Sequence, residues 1–240
     1  MYDTIEQFLS SNAIFTLPTL LGYWDGLVMT VQLVFLSLII GFFLAVPLAI
    51  MRNSRNLLIN RSVWLFTYIF RGTPLLVQLY IIYYGVAYIE GIQESMFWPI
   101  VREAFYPCLF AFVLNTAAYT TEIFRGAIAA TPRGEIEAAK AYGMSYSQCM
   151  RRITLPSAFR RALPAYSNEV IFMLHASSIA SVVTIVDLTG AARDVYAKYY
   201  APFEAFSFVA LIYLCLTFCL VFGFKTLEKR WHAHLRPLQS

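Results

Sequence analysis

Arg133–Pro156 reads RGEIEAAKAYGMSYSQCMRRITLP, a charged, helix-forming segment set inside a very apolar chain. Thr131 is placed to cap a helix whose first turn holds Pro132, a residue preorganised for that position. Glu135 and Glu137 then lie near the positive end of the helix dipole. Gly143 can take the left-handed conformation that ends such a helix. Ser145 can cap a second short helix, which Pro156 is expected to stop. The segment therefore predicts two short helices joined by a tight bend and lying along a membrane surface. Its middle, Glu137-Ala138-Ala139, is small-sided, so another protein could approach closely. Glu137 and Lys140, three apart, also form an ordinary surface pair, so a solvated loop and a docking surface both fit.

Outward from this segment the chain is greasy. Hydrophobic residues make up 59% of it and charged residues only 13%, against about a quarter charged in a soluble domain. Uncharged runs at Gly26–Met51, Gly72–Ile89, Ala104–Thr121 and Ala205–Phe224 approach or exceed the roughly 20 residues that span hydrocarbon. Val170–Val186 adds a fifth, broken only by His175, and Ser62–Phe70 extends the second. The expected fold class is all-α: an integral membrane protein with five transmembrane helices. Barrel strands would alternate apolar and polar residues, which these runs do not. Residues 1–25 precede the bundle, 26–228 form it with the loop 130–156 inserted, and 229–240 form a tail.

Five spans divide the charges into two sets. Arg52, Arg55, Arg61, Arg125, Arg133, Lys140, Arg151, Arg152, Arg160, Arg161, Lys225, Lys229, Arg230 and Arg236 fall on one side. Only Arg102, Arg193 and Lys198 fall on the other, among Glu90, Glu94, Glu103, Asp187, Asp194 and Glu204. Basic short loops stay cytoplasmic, so the N-terminus is expected outside, the C-terminus inside and the loop 130–156 in the cytoplasm. Asp3, Glu6 and Asp25 without Lys or Arg provide no basic region of a cleavable leader. Met1 is therefore expected to remain. Cys108, Cys149, Cys215 and Cys219 have no zinc spacing, and the last two, at i and i+4, read as packing residues. His232 and His234 read as part of a solvated basic tail. Tyr80, Tyr83, Tyr84 and Tyr88, with Tyr196, Tyr199 and Tyr200, suit the outer headgroup level.

Polar residues also fall within the spans. Asn115, Tyr119 and Glu122 share one helical face, and Asn168, His175 and Ser178 share another with Glu169 beside it. Arg71 and Gln78 align around a break at Gly72-Thr73-Pro74. Pro74 removes a donor and frees the carbonyl one turn earlier, tolerated at membrane depth where a cavity or a neighbour satisfies it. An ionisable group at the bilayer centre costs at least ~2.5 kcal/mol, so each needs a partner or a task. Glu122 with Arg125, and Arg71 with Glu169, can pair; Glu169 also suits a cationic substrate, and His175 either a pathway or an interhelical hydrogen bond.

The arrangement Glu137-Ala138-Ala139, then Gly143, then Ile153-x-Leu155-Pro156 resembles the EAA loop of the membrane subunits of ATP-binding-cassette (ABC) importers. LFTYIFRGTPLLVQL (Leu65–Leu79), NTAAYTTEIFRGAI (Asn115–Ile128) and LPAYSNEVIFMLHASS (Leu163–Ser178) resemble polar amino-acid importer permeases. Within that family the likeness is to M-type permeases of histidine/lysine/arginine/ornithine and arginine/ornithine systems, over roughly Gly26 to Trp231. Many of those carry Lys where this chain has His175. The resemblance implies a type I importer permease (MetI-like) fold in a bacterial inner membrane. It implies as partners a second homologous permease subunit, a cytoplasmic ATPase dimer and a periplasmic amino-acid-binding protein. In it Glu137, Ala138, Ala139, Gly143, Ile153, Leu155 and Pro156 dock on the ATPase. Arg71, Gln78, Asn115, Tyr119, Glu122, Asn168, Glu169, His175 and Ser178 are the candidate pathway residues.

No Walker A pattern is present, so ATP and Mg belong to the partner ATPase, and no cofactor, metal or nucleic acid is expected on this chain. A membrane enzyme using Glu169 and His175 is a poor alternative, because the two, six residues apart, lie off a shared helical face and no nucleophile joins them. An ion-gradient-driven secondary amino-acid transporter is the other alternative, and such folds usually show internal repeats, which unlike spans do not supply.

Overall fold

A computed structural model describes residues 14–231, which form helices joined by short turns and contain no strand. Asp3, Glu6, His232, His234 and Arg236 lie outside the described residues. Ten α-helices follow in order: α1 (Leu17–Arg52), α2 (Leu57–Gly72), α3 (Leu75–Ala87), α4 (Trp98–Val101) and α5 (Phe105–Ala129), then α6 (Arg133–Ala141), α7 (Tyr146–Cys149), α8 (Leu155–Ala176), α9 (Leu188–Tyr199) and α10 (Pro202–Trp231). By length and apolarity α1 and α10 can each cross a membrane, and two bent pairs add up to two further spans. α5 has 25 residues, about 37 Å at 1.5 Å per residue, but Asn115, its threonines, Glu122 and Arg125 lower its apolarity. Those groups face protein rather than lipid, because α5 lies at the centre of the bundle.

α1 starts at Leu17, inside the segment expected to precede the bundle, with Pro18 in its first turn. It packs along α5 so closely that a Cβ at Gly41 would lie 2.4 Å from Thr116 Cγ2. The central core joins Leu33 on α1, Leu79 on α3, Phe112 on α5, Met173 and Leu174 on α8, and Val183. A second cluster ties the start of α1 to α9 and α10 through Tyr23, Leu188, Ala192 and Val209. There the Tyr23 hydroxyl donates to the Ala205 carbonyl at 3.2 Å, and Thr30 Oγ1 accepts from Leu188 N at 3.0 Å. Asp187 caps α9 by accepting from Gly190 N at 2.8 Å. Phe42, Phe124, Phe159 and Tyr166 fill a third cluster at the Ala130 end of α5.

Three expectations change. First, Pro156 does not stop a helix. α7 passes through a π-helical turn, Met150–Thr154, straight into α8, where Pro156 occupies the first turn. The wider turn gives the ring room that an α-turn would deny it. Secondly, the run Ser62–Ile89 is not one straight span: α2 and α3 meet at 101°. Thirdly, Cys215 and Cys219 are exposed on α10 rather than packed within the chain, while Cys108 and Cys149 are buried. α10 is a peripheral helix that touches mainly α8 and α9, so most of its apolar surface remains open.

Candidate substrate cleft and coupling surface

The bend between α2 and α3 follows from Gly72-Thr73-Pro74. Pro74 has no amide proton to give the Phe70 carbonyl, and Gln78 supplies the missing donor: its Nε2 lies 2.7 Å from Phe70 O, 2.9 Å from Thr73 O and 2.8 Å from Thr73 Oγ1. Asn115 Nδ2 on α5 donates to the same Phe70 carbonyl at 3.3 Å and to Gln78 Oε1 at 3.1 Å. The Tyr119 hydroxyl adds a 3.4 Å bond to Arg71 O. Buried amides thus satisfy the freed carbonyls and hold the bend in one shape. The bend also separates Arg71 from Gln78, which share no helical face: Arg71 stays exposed while Gln78 turns inward.

Beside this bend lies a cleft of about 720 Å³ between α2, α3, α5 and α8. Arg71, Asn115, Tyr119, Asn168 and Glu169 all line it, beside Phe172 and Met173. The Arg71 guanidinium lies over the Tyr119 ring, 5.3 Å from its centroid. This contact leaves the fork of donors free to meet an anion. Glu169 is buried, and its Oε1 accepts from Thr116 Oγ1 at 2.9 Å. The cleft thus places a guanidinium and a carboxyl on one apolar-walled surface without a direct ion pair between them.

Glu122 takes a different place. It accepts from Arg125 Nε at 2.5 Å, Arg52 Nε at 3.3 Å and Thr67 Oγ1 at 3.1 Å, locking α1, α2 and α5 together beside a neighbouring hollow of about 530 Å³. The Glu122–Arg125 pair read from spacing is present; Arg52 and Thr67 come from distant sequence and were not foreseen. Asn60 and Asn53 extend the network, bonding to Arg52 and to the Arg125 carbonyl. His175 and Ser178 do not reach the cleft. His175 Nε2 lies 3.1 Å from Thr217 Oγ1 on α10, the interhelical bond that was one of its two readings. Ser178 Oγ donates to the His175 carbonyl. A 3₁₀ segment begins at Ser177, and its tighter turn changes the phase that had aligned Ser178 with Asn168.

The polar loop forms the expected two helices. Gly143 adopts φ +77°, and its N–H donates to Lys140 O at 2.9 Å while Met144 N–H donates to Ala139 O at 3.1 Å. These two bonds make a Schellman end. Ser145 and Gln148 cap each other's backbone in a capping box. Thr131 does not cap α6; Pro132 occupies that place without a side-chain bond. Thr131 instead donates to the Ile128 carbonyl and accepts from Arg161 Nη2 at 2.7 Å. No ion pair joins Glu137 to Lys140 among the described residues.

Ala139 is buried and Ile153 and Leu155 are half-buried, whereas Glu137, Ala138, Gly143 and Pro156 are exposed. Gly134, Ala138 and Ala141 recur at i, i+4 and i+7 on the free side of α6, a narrow stripe that admits close approach. Arg161, counted above only as a basic residue, reaches from α8 to Ala127 O with Nε and Nη2 at 3.2 and 3.1 Å, and to Ser157 Oγ with Nη1 at 2.6 Å. It closes the C-terminal end of α5 and ties Thr131, near the start of the loop, to the helix that follows. Only the placement of Arg161 five residues beyond Pro156 could have suggested this from sequence.

A bundle of apolar helices with a polar cleft and an outstanding pair of surface helices is an architecture that suits a transport permease. The chain belongs to the family of binding-protein-dependent transport system inner membrane components, whose model matches residues 37–233. It is 49% identical over 218 residues to the histidine/lysine/arginine/ornithine transport system permease protein HisM of Escherichia coli (strain K12), covering 90% of this chain and 92% of that one. Against the octopine transport system permease protein OccM of Rhizobium radiobacter, identity is 43% over 214 residues, covering 89% and 87%. A crystal structure of an amino acid ABC transporter with histidines superposes at TM-score 0.77 with 34% identity, covering 87% of this chain and 94% of that one. An inward-facing form of the MetNI methionine ABC transporter, 19% identical, shares the fold at TM-score 0.75 over 90% and 99%. The protein is thus a multi-pass inner-membrane permease subunit of an ABC importer, working with ATPase and substrate-binding partners.

Proposed function

We propose that this permease passes basic amino acids (histidine, arginine, lysine or ornithine) into the cytoplasm through a pathway to which the 720 Å³ cleft contributes. The observation that carries this reading is the pairing of Arg71 and buried Glu169 on one cleft wall without a direct ion pair. An amino acid with a cationic side chain has a carboxylate for the guanidinium and a cation for the carboxyl. The substrate names of the relatives, histidine/lysine/arginine/ornithine and octopine, support the same chemistry.

The cleft is open along one side, as one half of a two-subunit pathway would be, and a second homologous permease is the partner that closes it. The helices number five spans in this reading, with α2–α3 and α8–α9 bent. The N-terminus is periplasmic, and the loop 130–156 faces the cytoplasm, where basic loops are retained. ATP binding on the partner ATPase pulls the two loops together, the bundles rock as nearly rigid bodies, and the cleft opens outward; hydrolysis resets it. Glu137, Ala138, Ala139, Gly143, Ile153, Leu155 and Pro156 form or brace the docking surface.

Glu169→Gln tests the electrostatic part. In the reconstituted transporter, uptake of arginine should fall more than uptake of a neutral analogue, by about tenfold if one charge-assisted contact worth roughly 1.5 kcal/mol is lost. An equal loss for both substrates would refute the role of Glu169 charge.

A further inference from the structure

A second cavity is larger than the polar cleft. It measures about 910 Å³ and lies between the end of α1, the start of α2 and the helices α6 and α7. Its wall is apolar, with Ile50, Ile128, Ile136, Met144 and Met150, and three cations, Arg55, Arg133 and Lys140, line it without any acidic residue. None of the three takes part in either ion pair of the described residues, both of which belong to Glu122. Arg133, Ile136 and Lys140 fall at i, i+3 and i+7 on α6, so one helical face contributes both charge and apolar wall. The stripe Gly134, Ala138 and Ala141 points elsewhere around the helix, which leaves the cavity face free when the stripe is covered.

We propose that this cavity holds one anionic phospholipid, its phosphate among Arg55, Arg133 and Lys140 and an acyl chain along the isoleucine and methionine wall. A free phosphate would use the cations but not the wall. An acidic peptide would use neither the wall's length nor its position. Leu57 and Leu58, 74% and 80% exposed at the start of α2, lead from cavity-lining Ile59 towards the lipid. Basic pockets at the cytoplasmic ends of membrane helices recognise anionic headgroups in this way. The inference rests on the cytoplasmic placement of the loop proposed above.

The test uses the assembled transporter with its ATPase and partner permease. Native mass spectrometry would count dioleoylphosphatidylglycerol retained against dioleoylphosphatidylcholine. At about fivefold per cation near the surface, retention should favour the anionic lipid by about 100-fold. Arg55→Gln, Arg133→Gln and Lys140→Gln should each lower that preference about fivefold, and the single variants keep the test valid if the triple variant fails to assemble. Equal retention of both lipids, or unchanged preference in all three variants, overturns the proposal. So does displacement of the lipid by soluble glycerol phosphate, which would indicate a simple anion site. Ser147→Cys, probed with an impermeant maleimide from each side of the membrane, separates the two readings. Labelling from the cytoplasmic side with no lipid preference sinks the lipid site alone; labelling from the periplasmic side sinks the orientation on which it rests.

Discussion

Gly143 provides a test in which backbone conformation and side-chain bulk rank Ala and Asn in opposite order. Its φ of +77° lies in the left-handed region, and a Cβ built there meets nothing within 4 Å. Size alone is therefore no obstacle within the chain; the cost of a substitution is conformational. A left-handed residue with a Cβ costs roughly 1–2 kcal/mol, less for Asn, whose short amide tolerates the region, and most for β-branched side chains. Gly143→Ala should then weaken the bend by about 1 kcal/mol, Gly143→Asn by a few tenths, and Gly143→Val by about 2 kcal/mol or more. A kilocalorie shifts the population of the bent loop about fivefold. The assay is transport-coupled ATPase activity of the reconstituted complex, with membrane insertion checked separately. The expected order of retained coupling is Asn above Ala above Val, although Asn is larger than Ala. If coupling falls in order of volume, with Ala best, the glycine serves as a contact with the ATPase. The argument from its left-handed backbone would then be refuted.

Other perturbations probe the supports of the cleft. Gln78→Leu removes the amide that satisfies the Phe70 and Thr73 carbonyls. Asn115 still donates to the Phe70 carbonyl, so losing the Gln78 bonds should cost about 1–2 kcal/mol, read as a lower unfolding midpoint in detergent. Gly41→Ala places a methyl against Thr116 Cγ2 and should destabilise by about 1–3 kcal/mol. Adding Thr116→Ser removes the clashing methyl but keeps the hydroxyl that meets Glu169, and should restore most of that loss. Arg161→Met keeps the stem but removes the bonds to Ala127, Ser157 and Thr131; transport per ATP hydrolysed should fall severalfold while substrate affinity holds. A parallel fall in both would mean that Arg161 merely stabilises the fold.

What could be read from the residues divides along a physical line. The end of α6 at Gly143 and the Ser145 cap depend on contacts a few positions away, and both appear where the local sequence put them. The carbonyl freed by Pro74 was likewise legible, because losing an amide proton is a covalent fact. The donors that satisfy it were not: Gln78 lies four residues beyond the proline across a 101° bend, and Asn115 comes from another helix. Periodicity alone placed Arg71 and Gln78 together, as a straight helix would, and the bend removed the premise. Pro156 shows the same limit. The rule that proline ends a helix assumes an α-turn before it, and the π-turn Met150–Thr154 supplies a different one.

These supports also explain how a bundle of apolar helices could be moved without losing its cleft. Polar bonds brace three joints: Gln78 and Asn115 at the α2–α3 bend, Glu122 between α1, α2 and α5, and Arg161 between the loop and α8. Elsewhere a few single bonds, such as Thr116 to Glu169, accompany contacts through small buried residues such as Gly41, Ala45, Ala111 and Ala117. Directional bonds resist changes of angle, whereas apolar contacts permit small sliding. A pull applied at α6 would then travel through Thr131, just before that helix, and its bond to Arg161 into α8, which carries Asn168 and Glu169, before it reached α3. The Arg161→Met variant should therefore separate ATP hydrolysis from motion of Glu169. A spectroscopic distance between labels on α6 and on α8 near Ala165 would show whether the two helices still move together.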